Sequence, residues 1–266
     1  MKQYKTYLFD LYGTLVDIHT EESKPSFWKS VAAFYREHGA DWEAASLRLR
    51  YHALCADETA RLQTRYPDAE IEIDLLPVFR ALYEQKRRTP NAALLAETAW
   101  YFRRCSTTHL RAYAGARDLL EALHAAGKTV VLLSNAQSSF TLPELDLLDL
   151  TGCFDRIFIS SELGFRKPDP RFFREALREL GLDPTECLMI GNDPVCDVEG
   201  AAGVGMDAVY LHSGLSPKNQ PAPASAVLSL PQMNLHRLRC AILGEQKGES
   251  KAIKNRLMNI NDLIRT

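Results

Sequence analysis

Short stretches at widely separated points of the chain hold the side chains able to do chemistry. Asp10-Leu11-Tyr12-Gly13-Thr14 supplies a carboxylate and a hydroxyl around a turn. Ser134-Asn135 supplies a hydroxyl and an amide, and Arg166-Lys167-Pro168-Asp169 an ammonium. Gly191-Asn192-Asp193, with Asp197 four residues on, supplies an amide and two more carboxylates. An ammonium beside a carboxylate neutralises charge where an anion must react. Taken singly, each stretch is also what a turn or a cap looks like. Ser-Asn after a strand commonly caps a helix, and Asp-Pro opens one.

Their positions set them apart, because each comes after a predicted strand. Thr6–Asp10 reads as a short buried strand, and Gly13 marks the turn that follows it. Further strands are expected at Thr129–Leu133, Arg156–Ile159, Leu188–Ile190 and Ala208–Leu211. Between them fall helices over Ala116–Ala126, closed by Gly127, and Pro170–Leu180, closed by Gly181, with a short one from Val198 to Ala202. Strand and helix in alternation indicate an α/β fold with a doubly wound parallel sheet. Ligands of such sheets bind beyond the carboxyl ends of the strands, so the topology gathers these groups at one end.

Residues 19–109 break the alternation. Helices are expected over Ser26–His38, closed by Gly39; over Trp42–Arg65, capped by Asp41 and stopped before Pro67; and around Leu75–Arg88 and Ala92–Leu110. The block reads as an all-helical insertion in a discontinuous core of residues 1–18 and 110–243. Phe27, Trp28, Phe34, Tyr35, Trp42, Trp100, Tyr101 and Phe102 lie at helical spacing and are expected to form its interior. Its arginines are expected on solvated faces, with some of them available to a substrate anion. Connections near 18–24 and 109–115 are expected to be hinges. Ser216–Pro223 reads as loop and Leu235–Leu243 as helix. The tail, residues 244–266, fits either an amphipathic helix or a disordered end.

Composition narrows the function. The chain has 266 residues, with 32 basic against 34 acidic side chains and a net charge of -2. No charge excess is available to grip nucleic acid or an anionic membrane. No apolar run approaches the roughly 20 residues a bilayer requires, and the N-terminus does not read as a signal peptide. The 6 cysteines form no CxxC pair and no zinc spacing, which is expected of reduced thiols in a cytoplasmic protein. The partner expected is a small-molecule substrate; the oligomeric state stays open.

The order of the motifs resembles the haloacid dehalogenase superfamily of hydrolases. It is carried by Phe9-Asp10-Leu11-Tyr12-Gly13-Thr14-Leu15, Leu133-Ser134-Asn135, Lys167-Pro168-Asp169, and Ile190-Gly191-Asn192-Asp193 with Asp197, and covers residues 1–18 and 110–212. The insertion resembles that family's helical cap. The resemblance implies that Asp10 is a nucleophile forming an aspartyl ester or aspartyl phosphate. Thr14, Ser134 and Asn135 would then bind the transferring group, and Lys167 would neutralise charge. Asp10, Asp193 and Asp197 would hold Mg²⁺, with Asn192 near and a backbone carbonyl of Leu11 or Tyr12 as a further ligand.

Two features of the motifs pull apart. The family's phosphatases usually carry a second Asp two residues after the nucleophile, to protonate the leaving oxygen. Tyr12 stands there, and a phenol is a poor general base near neutral pH. The Asp-x-Tyr-Gly-Thr form resembles the 2-haloacid dehalogenases, whose halide leaves without a proton. Asp193 and Asp197 together resemble the phosphatases. The first expectation is a Mg²⁺-dependent phosphatase of a small phosphorylated metabolite. The alternatives are a metal-independent 2-haloacid dehalogenase and a non-catalytic binding protein, in which Tyr12 is a packing residue.

Overall fold

A computed structural model describes residues 1–218 and 220–244; the expectation for the tail, residues 245–266, lies outside them. Six strands form one parallel sheet: β1 (Thr6–Phe9), β4 (Thr129–Ser134), β5 (Arg156–Ile159), β6 (Cys187–Gly191), β7 (Asp207–Leu211) and β8 (Leu228–Leu230), in the order β5-β4-β1-β6-β7-β8. Every side chain of β1 is buried, which is why it reads as a continuous apolar run rather than an alternating one. Alternation survives in the partners. Tyr7 and Phe9 join Val130, Leu132, Leu188 and Ile190 on one face, beneath α5 (Ala116–Ala125) and α10 (Leu235–Leu243). Leu8 joins Val131, Leu133 and Met189 on the other, beneath α8 (Pro170–Leu180).

β1 is central, with Phe9 opposite Leu132 of β4 and Ile190 of β6. One step beyond that register the chain reaches Asp10, and the neighbouring strands end at Ser134 and Gly191. A single row of strand ends therefore carries three of the four motifs.

The insertion holds α1 (Pro25–Glu37), α2 (Ala44–Arg65), α3 (Leu75–Glu84) and α4 (Ala92–Ser106) around its own aromatic core. Its connections to the sheet form a two-stranded antiparallel ribbon of β2 (Val16–Thr20) and β3 (Thr107–Ala112). This corrects the expected helix Ala92–Leu110, which stops at Ser106. The alternation Thr107-Thr108-His109-Leu110-Arg111 puts Leu110 inward and polar groups outward, and its partner carries the complementary charge: Asp17 accepts from His109 (2.9 Å) and Arg111 (2.8 Å). The expected helix Leu75–Arg88 ends at Glu84. Glu43, not Asp41, caps α2, through Ser46 N–H, because Asp41 is held by Arg36 at 2.7 Å.

The cap meets the core along two further seams. At one, Phe140 of α6 (Ser138–Leu147) belongs to the cap's aromatic cluster and stacks on Phe102 with centroids 6.2 Å apart. At the other, Arg166 N–H donates to Glu70 O (2.9 Å) and Glu72 N–H to Gly164 O (3.1 Å). Gln137 joins the same side, accepting from Leu75 N–H (2.9 Å) and donating to Ile73 O (2.7 Å).

Candidate active site

Asp10, Asn135, Lys167, Asn192, Asp193 and Asp197 converge on one cavity of about 180 Å³, which Tyr12, Cys196 and Leu215 also line. Drug-sized ligands usually occupy some 300–1,000 Å³, so this space suits a substrate of few atoms.

Lys167 is the centre of the site. Its ammonium is 1% exposed and donates to Asp10 Oδ1 (2.9 Å), Asp197 Oδ1 (2.7 Å) and Leu133 O (2.7 Å). Burial alone would lower its pKa, but the Asp10 and Asp197 carboxylates outweigh that and raise it above the ordinary lysine value. Lys167 is therefore a fixed cation rather than a proton carrier. Burial pushes Asp197 the other way for an acid, up to about 7, against the opposing pull of Lys167. Asn135 grips the backbone of Lys167 from both sides, accepting from its N–H (2.8 Å) and donating to its carbonyl (2.9 Å). Asn135, expected to bind substrate, lines the cavity while its amide also aims the lysine.

The turn after β1 shapes the nucleophile's other side. Thr14 is fully buried and donates to Asp10 Oδ2 at 3.1 Å, so its hydroxyl orients the carboxylate. Gly13 has φ +89, and a Cβ there would collide with the Asn192 amide. Ser134 is fully buried at the end of β4, does not line the cavity, and its Oγ finds no partner among the described residues.

Tyr12 presents its ring to the cavity and turns its hydroxyl away. That hydroxyl donates to Glu144 in a very short hydrogen bond and lies 3.1 Å from Thr141 Oγ1. Glu144 is bound in turn by Arg103 of the cap, at 2.6 Å to Nε. Burial, then the charge of Glu144, drives the phenol's pKa well above its usual value. Tyr12 cannot shuttle a proton to the cavity in this arrangement. Arg103, the cap arginine that is buried here, is committed to Glu144, and none of the cap's arginines lines the cavity. The Tyr12–Glu144–Arg103 group was not foreseeable from spacing, since it joins three distant segments.

The expected Mg²⁺ ligands are not arranged as a cage. Asp193 turns one carboxylate oxygen back on the chain, accepting from Val195 N–H (2.9 Å) and Cys196 N–H (2.8 Å) at the start of the π-helical turn Pro194–Glu199. Asp197 has one oxygen on Lys167 and the other on Asp193 N–H (2.9 Å). The fourth-motif residue that meets Asp10 is Asn192: its amide stands 3.2 Å from Asp10 Oδ2 and 3.1 Å from the Tyr12 carbonyl, and donates to both with its nitrogen inward. Among the described residues no group of three or more His, Cys, Asp or Glu side chains could hold a metal ion. As folded, the carboxylates of this set do not close into a Mg²⁺ cage.

The profile of the haloacid dehalogenase-like hydrolases matches residues 4–205. The chain belongs to that family. Relatives within it divide between two chemistries. A phosphoserine phosphatase of Thermus thermophilus is 33% identical over 169 residues, covering 63% of this chain and 64% of that protein, which is less than two thirds of its length. An (S)-2-haloacid dehalogenase of Burkholderia cepacia is 28% identical over 219 residues, covering 81% of this chain and 87% of that one. Among solved structures, a phosphatase from Thermococcus onnurineus superposes with a TM-score of 0.55 at 20% identity, covering 90% of this chain and 98% of that chain. An L-2-haloacid dehalogenase gives 0.54 at 22%, covering 91% and 100%. This family's core and the six-stranded parallel sheet are one architecture, and the chain is a hydrolase of the family.

Proposed function

We propose that the chain hydrolyses a small substrate through an ester on Asp10, and that the leaving group departs as an anion without taking a proton. The observation that carries this is the tether of Tyr12 to Glu144, which removes a proton donor from the place where the family's phosphatases keep one. A 2-haloacid fits best. The Asp10 carboxylate would attack C2 and displace halide, forming the C–O bond of the ester as the C–X bond breaks. Water would then add to the Asp10 acyl carbon, releasing a 2-hydroxy acid and a proton and restoring the carboxylate. Lys167 would hold Asp10 in line and relieve repulsion between it and an anionic substrate.

A second reading, a Mg²⁺-dependent phosphatase of a small phosphorylated metabolite, is favoured by one observation. Asp193 lines the cavity and could turn toward Asp10 if the Asn192 amide presented its oxygen to a cation. Without a proton donor, that enzyme would be confined to acyl and aryl phosphates. Six unpaired cysteines suit a reducing compartment, so we place the activity in the cytoplasm; among the described residues no helix is long and apolar enough to cross a membrane. The deciding experiment measures halide release from 2-chloropropionate and phosphate release from an aryl phosphate, each with Mg²⁺ and with EDTA. Halide release insensitive to EDTA supports the first reading. Phosphate release that requires Mg²⁺ would overturn it in favour of the second.

A further inference from the structure

We propose that the side-chain amide of Asn192 takes the place of a divalent cation in this site, its nitrogen turned inward to bridge the nucleophile and the Tyr12 carbonyl. This goes beyond the choice of substrate, because it concerns how Asp10 is held before any substrate arrives.

The argument begins with the inward atom of the amide. It lies 3.2 Å from Asp10 Oδ2, 3.1 Å from Tyr12 O and 3.3 Å from Thr14 Oγ1. Two of these oxygens, of the Asp10 carboxylate and the Tyr12 carbonyl, can only accept, and they demand a donor or a cation; the Thr14 hydroxyl can serve either way. An amide oxygen there would face a carboxylate and a carbonyl, two acceptors, and be repelled by both. An amide nitrogen has two hydrogens, one for each. The seat is also built for it, since the backbone at Gly13 comes close enough that a methyl group would strike the amide.

The charge distribution supports the same assignment. Of the other carboxylates, Asp197 is engaged by Lys167 and Asp193 N–H, and Asp193 spends one oxygen on the start of the next helical turn. The amide neutralises nothing; it offers two dipoles. The positive charge facing the nucleophile is then that of Lys167, which matches a singly charged substrate better than a phosphate dianion.

Mg²⁺ binding measured by calorimetry on the full chain and on Asn192→Asp tests this without reference to turnover. The wild type should show no saturable Mg²⁺ binding in the millimolar range. The substitution places a carboxylate at the inward position and should create a site tightened by roughly tenfold or more, the scale on which ligand-shell changes move metal affinity. A thermal melt confirms that the variant is folded. In ¹⁵N spectra the Asn192 side-chain NH₂ pair, assigned by its disappearance in the variant, should be protected from exchange and unmoved by Mg²⁺. Saturable binding by the wild type, an NH₂ pair that shifts with Mg²⁺, or a variant that gains no affinity would each overturn the proposal. These outcomes are separate from those of the halide and phosphate assays, so a wrong substrate leaves this test intact.

Discussion

Tyr12 and Asp197 are two polar side chains beside one nucleophile, and their surroundings push both toward the protonated form for different reasons. Tyr12 is buried against a carboxylate, which raises its pKa above that of a free phenol. Tyr12→Phe should therefore leave the pH profile of turnover unmoved. It should cost about 1.5–3 kcal/mol in denaturant unfolding, the worth of a hydrogen bond to a charged group. If Tyr12 delivered a proton, turnover would instead fall by roughly 10²–10⁴. Asp197 is raised to about 7 by burial. A raised acid binds its proton more tightly when folded, so its contribution to stability is full below its unfolded pKa near 4 and is lost as pH rises through about 7. Wild-type stability relative to Asp197→Asn should then decline between those values in pH-dependent urea melts. A flat difference would place the Asp197 pKa in the ordinary range.

The element that ties cap to site is α6. Its residues Phe140, Thr141 and Glu144 face the cap, Tyr12 or both, and its preceding residue Gln137 reaches the start of α3. The Arg103–Glu144 pair is almost completely buried, with side chains 12% and 2% exposed. Removing one partner of such a pair leaves a charge without compensation and costs about 3–5 kcal/mol. Arg103→Met should destabilise by that amount in equilibrium unfolding, whereas Arg61→Met, on an exposed pair with Glu58, should leave the unfolding midpoint nearly unmoved. Equal effects would show that the buried seam contributes no more than a surface contact. Little of this element could be read from the chain. Strict helical periodicity is blurred by Pro143 and by apolar residues on two faces, one meeting the sheet and one the cap. Five of the six sheet strands were legible because burial leaves largely unbroken apolar runs; β8, three residues with Ser229 exposed between Leu228 and Leu230, gave no such run. Ribbon strands β2 and β3 were not, because five or six residues of mixed Thr, His and Arg fit the end of a helix equally well until the partner strand is known.

Across the whole molecule, the four motifs could be read as one site because parallel topology admits only one end for them. Which side chain of a motif points inward could not. Asn192 and Asp193 are adjacent, and the choice between them is made by the π-helical turn that draws Asp193 onto Val195 and Cys196. The same scale governs cap motion. A cap joined by hinges alone would swing freely, but this one is held by the ribbon, by the Phe140 and Glu144 seam, and by the backbone bonds between residues 70–72 and 164–166. Amides of Glu72 and Arg166 should therefore exchange with solvent slowly, and together, as one opening event. Exchange of these two amides at the rate of exposed loops would show that the cap is open most of the time.

The ribbon has a further consequence for how such a chain can change over time. Tyr113 N–H donates to Leu15 O at 2.9 Å, so the chain leaves the sheet and returns to it at neighbouring points. Everything between Thr20 and Thr107 could be exchanged for another unit, or for a tight turn, without redirecting a strand of the sheet. The strand ends that carry Asp10, Ser134 and Asn192 would stay in register throughout. What would not survive exchange is the fit to α6: a replacement must cover Phe140 and bring a cation to Glu144. Grafts chosen for those two properties should fold, and grafts chosen for size alone should not.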